Sequence, residues 1–134
     1  MKIIAGIIGM GIGQKHFDAI DKYKGSIVKM ICELDKKKIS FLKKKYPDKI
    51  ITNNENNIFL DKSINLVSIA SFDNYHYKQI LKGIKNDKQL IVEKPLCQNI
   101  AQLKKIKNLL KNKPKINIIS NLVLRVNSLF QEFK

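Results

Sequence analysis

An apolar run, Lys2 to Ile8, passes without interruption into three closely spaced glycines, Gly9, Gly11 and Gly13. Few features restrict a fold more. A near-continuous apolar run of this length suits a parallel strand covered on both faces. Glycines placed where the run stops let the chain turn tightly and keep Cβ atoms away from whatever approaches the turn. From Gln14 the periodicity becomes helical, with Phe17 and Ile20 on one face. The turn therefore ends at a helix N-terminus, where free N–H groups and the positive end of the helix dipole suit an anion. Strand, glycine turn and helix in this order open a dinucleotide-binding unit, with the pyrophosphate on the helix N-terminus.

The spacing departs from G-x-G-x-x-G, which read from Gly9 would need glycine where Gln14 stands, so the third glycine comes one residue early. A glycine motif alone is equally the mark of a plain strand-to-helix turn. A second feature favours the nucleotide. Glu33 closes the apolar run Ile27, Val28, Met30, Ile31, Cys32, at the distance from the turn where the acid that binds a ribose 2′-hydroxyl belongs. A carboxylate there repels a 2′-phosphate and favours NAD over NADP, a preference moderated by Lys36 to Lys38 beside it.

Downstream, strand and helix patterns alternate without a long linker or an internal repeat. Asp35 can cap a helix running to about Tyr46, with Ile39 and Leu42 inward and Pro47 at its end. Ile50 to Thr52 reads as a third strand, and Thr52-x-x-Glu55 as a capping box for a brief helix carrying Ile58, Phe59 and Leu60. Leu66 to Ala70, Leu90 to Glu93 and Ile116 to Ile119 read as the fourth to sixth strands, and Tyr75 to Asn86 as a helix capped by Asp73 or Asn74. Asn99-x-x-Gln102 opens a helix with Leu103, Ile106 and Leu110 along one stripe, and Pro114 follows it. This alternation specifies an α/β fold with a doubly wound parallel sheet. Ligands of such sheets bind beyond the carboxyl ends of the strands. Those ends carry Gly9 to Gly13, Glu33, Ser71 to His76, Glu93-Lys94-Pro95 and Asn121.

At 134 residues and 44% apolar content the chain has room for one domain with a proper core. The net charge of +15 comes almost wholly from lysines spread over helix faces, with Arg125 the sole arginine. Without aromatic platforms or a helix-turn-helix, this reads as a solvated surface and not as a specific nucleic-acid groove. Cys32 and Cys97 are isolated, so neither a disulfide framework nor a metal site is expected, and reduced thiols in a cytoplasmic protein are. The apolar N-terminus has a single leading lysine and no small-residue cleavage site, and it is too short to span a bilayer, so no membrane partner is expected.

Taken together, Gly9-Met10-Gly11-Ile12-Gly13-Gln14-Lys15-His16, Cys32-Glu33-Leu34-Asp35, Ser71-Phe72-Asp73-Asn74-Tyr75-His76, Val92-Glu93-Lys94-Pro95-Leu96 and Asn121 to Phe130 resemble the N-terminal half of the Gfo/Idh/MocA oxidoreductases. Glu93-Lys94-Pro95 is the most specific element. The departures are the early third glycine, and Phe72 and Ser128 where the family commonly has proline. The resemblance implies a Rossmann fold and NAD(P)-dependent hydride transfer on a sugar, polyol or sugar nucleotide. It also implies cofactor contacts at Gly9, Met10, Gly11, Ile12 and Gly13, at Glu33, at Ser71, Phe72, Asn74 and His76, and at Glu93, Lys94, Asn121 and Arg125.

Catalytic roles fall to Lys94, a mobile donor that can bind a substrate hydroxyl, and to His76 in the first turn of its helix. Each has a structural alternative: Lys94 paired with Glu93, His76 as a satisfied core histidine. His16, inside the first helix, is expected to pack or to support a neighbour, and Tyr75 and Tyr77 to be ordinary helix aromatics. The family carries its catalytic histidine in a second α/β domain. We therefore expect residues 1–121 to form the nucleotide domain. Residues 122–134 would be a linker and the start of a helix opening at Ser128, whose Leu129, Phe130 and Phe133 would favour self-association. Three readings stand: the cofactor half of a dehydrogenase, a noncatalytic nucleotide-binding or regulatory domain, and a basic nucleic-acid scaffold.

Overall fold

Runs of Ile, Val and Leu alternate with lysine-rich helical stretches, and each run becomes a strand of one sheet. The computed structural model of the chain describes residues 2–122. In order the elements are β1 (Ile3–Ile8), α1 (Gly13–Lys22), β2 (Ser26–Cys32), α2 (Lys36–Lys45), β3 (Ile50–Thr52), α3 (Asn56–Leu60), β4 (Leu66–Ile69), α4 (Asp73–Lys85), β5 (Gln89–Glu93), α5 (Ile100–Lys111) and β6 (Ile118–Asn121). The strand order is β3-β2-β1-β4-β5-β6 and every pairing is parallel. The chain starts at the centre, winds outward to β3, then returns beside β1 and winds outward to β6. That is the Rossmann arrangement, with its topological switch between β1 and β4.

Successive strand residues point to opposite faces, and β1 supplies both cores. Ala5 and Ile7 pack with Phe17, Ile20 and Leu42 under α1 and α2. Ile8 packs with Ile58, Phe59, Ile80, Ile84, Leu90 and Ile106 on the other face. Burying an Ile or Phe side chain stabilises by about 1.5–3 kcal/mol, and Ile7, Ile58, Phe59 and Ile80 are at most 1% exposed.

Local differences from the sequence reading have local causes. α4 begins at Asp73, its N-cap is Phe72 without a side-chain cap, and Asp73 and Asn74 lie within its first turn. The capping box Thr52-x-x-Glu55 does not form: Thr52 Oγ1 instead accepts from Asn54 N, and Glu55 is drawn away to α4. Asp35 and Asn99 do cap α2 and α5, accepting from Lys38 N and Gln102 N. Along α5 Ile106 is fully buried, Leu110 half-buried and Leu103 exposed, so the stripe is narrower than its spacing suggests. β6 runs from Ile118 to Asn121, two residues beyond the expected segment, because its register is set by β5. Arg125 and the helix expected from Ser128 lie outside the described residues.

Candidate functional site

The three glycines do three different jobs. Gly9 has φ +86°, and a Cβ there would lie 2.5 Å from the Ala70 carbonyl oxygen, so only glycine lets β1 turn this close to β4. A Cβ on Gly13 would press on Ala70 Cβ and Ile7 Cγ2 at 3.2 Å, so this glycine brings α1 onto the sheet. A Cβ on Gly11 would meet nothing within 4 Å. The packing of the fold therefore does not require glycine at position 11, and the space in front of it is open. The early third glycine thus still does the work of close helix–strand packing.

Beyond the turn, α1 has no side-chain cap at Ile12 and no acidic residue in its first turn. Gln14 N and Lys15 N donate to the Gly11 and Ile12 carbonyl oxygens (3.3 and 3.0 Å), so the amides that the turn leaves for an outside acceptor are those of Gly11, Ile12 and Gly13. Glu33, buried at the end of β2, accepts from Met10 N (3.1 Å) through one oxygen and from Leu34 N (2.8 Å) and Asp35 N (3.2 Å) through the other. It thereby ties the glycine turn to the second strand.

Turn and strand end border a cleft of about 580 Å³ on the β2 side of the switch point, completed by Asn53 and Asn54 after β3 and by Ser71 and Phe72 after β4. Ile12, Leu34 and Phe72 form an exposed apolar rim, Phe72 being 78% exposed, which suits the face of a base. One wall is a polar chain that the sequence does not reveal. Ser71 Oγ donates to Gln79 Oε1 (2.6 Å), Gln79 Nε2 donates to Glu55, and Lys82 Nζ donates to the other Glu55 oxygen (2.6 Å). The only sequence signal is Gln79 and Lys82 one turn apart on α4; nothing in the spacing places Glu55 opposite them. Tyr75 lines this cleft, whereas Tyr77 packs against the core. Cys32 lies at its floor, where burial pushes the thiol up to about 12, helped by Glu55 and Glu33.

On the β4–β6 side, Glu93, Asn121 and His16 meet. Glu93 Oε1 accepts from His16 Nε2 (2.8 Å) and from Asn121 Nδ2, and Oε2 accepts from Lys94 N (3.3 Å). Burial opposes ionisation of Glu93, but the hydrogen bonds from Asn121 and His16 outweigh it and hold the carboxyl below its ordinary range. The Lys94 side chain is exposed and its link to Glu93 is through the backbone N–H, so the charge-pair alternative is not what forms. The Lys94–Pro95 peptide is cis. His76 is fully buried, with Nδ1 2.8 Å from the Pro95 carbonyl oxygen and Nε2 3.1 Å from that of Ser71. It braces the loops after β4 and β5 from beneath, and both nitrogens face backbone. Asn74 is exposed on the first turn of α4 and is not part of the cleft lining.

Residues 3–121 match the profile of the oxidoreductase family with an NAD-binding Rossmann fold, GFO_IDH_MocA. The chain belongs to the Gfo/Idh/MocA oxidoreductases. Inositol 2-dehydrogenase/D-chiro-inositol 3-dehydrogenase of Lacticaseibacillus casei is 28% identical over 129 residues, covering 88% of this chain and 36% of that enzyme. The fold superposes with TM-score 0.87 on scyllo-inositol dehydrogenase from Lactobacillus casei with bound NAD(H) and scyllo-inositol, at 18% identity over 99% of this chain and 40% of the other. Myo-inositol 2-dehydrogenase from Lactobacillus plantarum gives the same TM-score of 0.87 and 18% identity, covering 99% of this chain and 40% of that one. The chain thus spans little more than a third of the length of these relatives. Among the described residues no helix is long and apolar enough to cross a membrane.

Proposed function

We propose that this Gfo/Idh/MocA chain binds NAD across the switch point and forms the cofactor side of an enzyme that oxidises a polyol or sugar carbinol. The observation that carries the reading is the turn itself: Gly9 and Gly13 are closed in by the fold, while Gly11 faces open space at an uncapped helix N-terminus. That cradle fits a pyrophosphate, held by turn amides without an intervening side chain. Glu33 takes the adenosine ribose, its oxygens already oriented by three backbone N–H groups, and the repulsion of a 2′-phosphate makes NAD the preferred cofactor. Asn53, Phe72 and Tyr75 surround the base.

The nicotinamide, when bound, supplies hydride exchange with the carbinol carbon. Lys94 extends from the end of β5 into solvent on that side, donates to the reacting hydroxyl and orients it. His76 serves as the strut that sets the height of the Ser71 and Pro95 loops, and the hydroxyl proton goes to a base outside these residues. Cys32 and Cys97 are free thiols, as suits a cytoplasmic protein. Titrating the chain into NADH and following the nicotinamide emission tests the reading directly. A saturable change is expected; none at millimolar chain would sink it.

A further inference from the structure

We propose that His16 is a positioning residue, which through Glu93 fixes the backbone that carries Lys94 over the nicotinamide half of the site. The proposal rests on the NAD reading above and adds to it a role for a buried cluster that the adenosine cleft does not use. Four elements converge there: His16 from α1, Ser68 from β4, Glu93 from β5 and Asn121 from β6. Ser68 is fully buried, Glu93 is 7% exposed and His16 is 9% exposed.

The hydrogen-bond directions follow from the partners. Glu93 is held in its ionised form and can only accept, so His16 Nε2 carries the proton it donates over 2.8 Å. His16 Nδ1 lies 2.6 Å from the Ser68 hydroxyl, which can donate to it or accept from it, so this contact holds the ring in place on the side away from Glu93. Asn121 Nδ2 supplies the second donor to Oε1. With Oε1 doubly engaged, Oε2 is left to receive the Lys94 backbone N–H. The imidazole is one turn along α1 from Gly13, so the helix that begins at the pyrophosphate cradle also anchors the strand end from which Lys94 projects. The adenosine cleft lies on the other side of the switch point, and neither His16, Glu93 nor Asn121 lines it.

The position permits a discriminating pair of substitutions. In His16→Gln the side-chain amide reaches the place of Nε2 and keeps a donor to Glu93; in His16→Asn the amide takes the place of Nδ1, keeps the Ser68 contact and loses the donor to Glu93. Affinities for NADH and for ADP, measured by calorimetry on the full chain with thermal denaturation alongside, read the two halves of the site separately. The expected result is ADP affinity unchanged in both variants and NADH affinity near wild type in His16→Gln. In His16→Asn, NADH affinity should fall about tenfold, the scale of one lost hydrogen bond to a charged group. Asn121→Ser removes the other donor from a half-buried position at the sheet margin and should shift the same NADH-to-ADP ratio, so the test stands even if His16→Asn does not fold. Equal ratios in the Gln and Asn variants, or parallel loss of both ligands, overturn the positioning role while leaving the NAD reading intact. If the wild-type chain binds neither ligand, the NAD reading fails and this assignment fails with it.

Discussion

Valine at position 11 separates what the fold needs from what the ligand needs. A Cβ on Gly11 meets no atom within 4 Å and the residue is exposed, so Gly11→Val adds a side chain to open space. Its effect on stability should stay within about 0.5 kcal/mol, the range of surface substitutions that touch nothing. The same branched side chain stands where phosphate oxygens must approach the turn amides. Losing two charge-assisted hydrogen bonds, each worth about 1.5–3 kcal/mol, would weaken binding by about a hundredfold or more. Gly9→Ala is the converse control. Its positive φ alone costs about 1–2 kcal/mol with a Cβ present, and the Cβ would sit 2.5 Å from the Ala70 carbonyl oxygen, so the melting temperature should fall. Thermal denaturation and calorimetry with NADH on wild type and both variants complete the experiment. A Gly11→Val protein that melts like wild type and binds NADH equally well would refute the assignment of the turn to a pyrophosphate.

NAD should bind more tightly than NADP at physiological salt, because the Glu33 carboxylate repels a 2′-phosphate; tighter NADP binding would mean that Lys38 on the cleft wall controls the site. Iodoacetamide at mildly alkaline pH should modify half-buried Cys97 well before Cys32, whose burial raises its thiol to about 12, and mass spectrometry showing Cys32 modified first would contradict the closed floor of the cleft. Asp61, hydrogen-bonded by Lys29 Nζ (2.6 Å) and Ser63, has its carboxyl lowered from 3.8 to about 2. The folded state therefore holds this proton less tightly than the unfolded chain, and the contribution is complete above the unfolded value and lost as pH falls towards about 2. Lys29 is over a third exposed, so the pair should contribute at most about 1 kcal/mol. Urea titrations across that acid window should show a shallower loss in Asp61→Asn, and identical losses would remove the pair from the acid sensitivity.

The fold was legible because its signals are local and repeated. β1, the glycine turn, β2 and Glu33 each announce themselves within a few residues, and strand–helix alternation leaves few ways to arrange six strands. Asp35 and Asn99 could be read as caps because the bond that each makes is to its own helix. The misread caps at Thr52 and at Asp73 or Asn74 fail for two reasons: Glu55, the partner that Thr52 needed, is taken by Gln79 and Lys82 of α4, and the backbone of α4 enters the helix already at Asp73. Glu55, Gln79 and Lys82 form one wall of the cleft through contacts between α3 and α4, and no spacing rule reports a contact across that separation. His76 and His16 show the same limit. Each sits at a helical position compatible with either a site or a core, and only the loops and strands packed on it distinguish a brace under two carbonyls from a donor to Glu93.

The place of β1 at the centre of the sheet has a consequence for how the site comes into being. One edge of β1 joins β2 from nearby in the chain, Ile3 opposite Ser26, but its other edge waits for β4, Ala5 opposite Leu66. Parallel pairing across so much intervening chain is slow to nucleate, and the glycine turn, which precedes β4 in the chain, gains its Ala70 and Phe72 neighbours only after that pairing. A segment that ends before β4 lacks the Ala70, Ser71 and Phe72 side of the cleft, so on the NAD reading the ligand would not template a partial sheet. It acts on the whole cooperative unit, adding free energy that grows with the logarithm of its concentration over Kd. Amide hydrogen exchange should reveal this as protection that rises together in β1, β2 and β4 when nucleotide is added, and not in the turn alone.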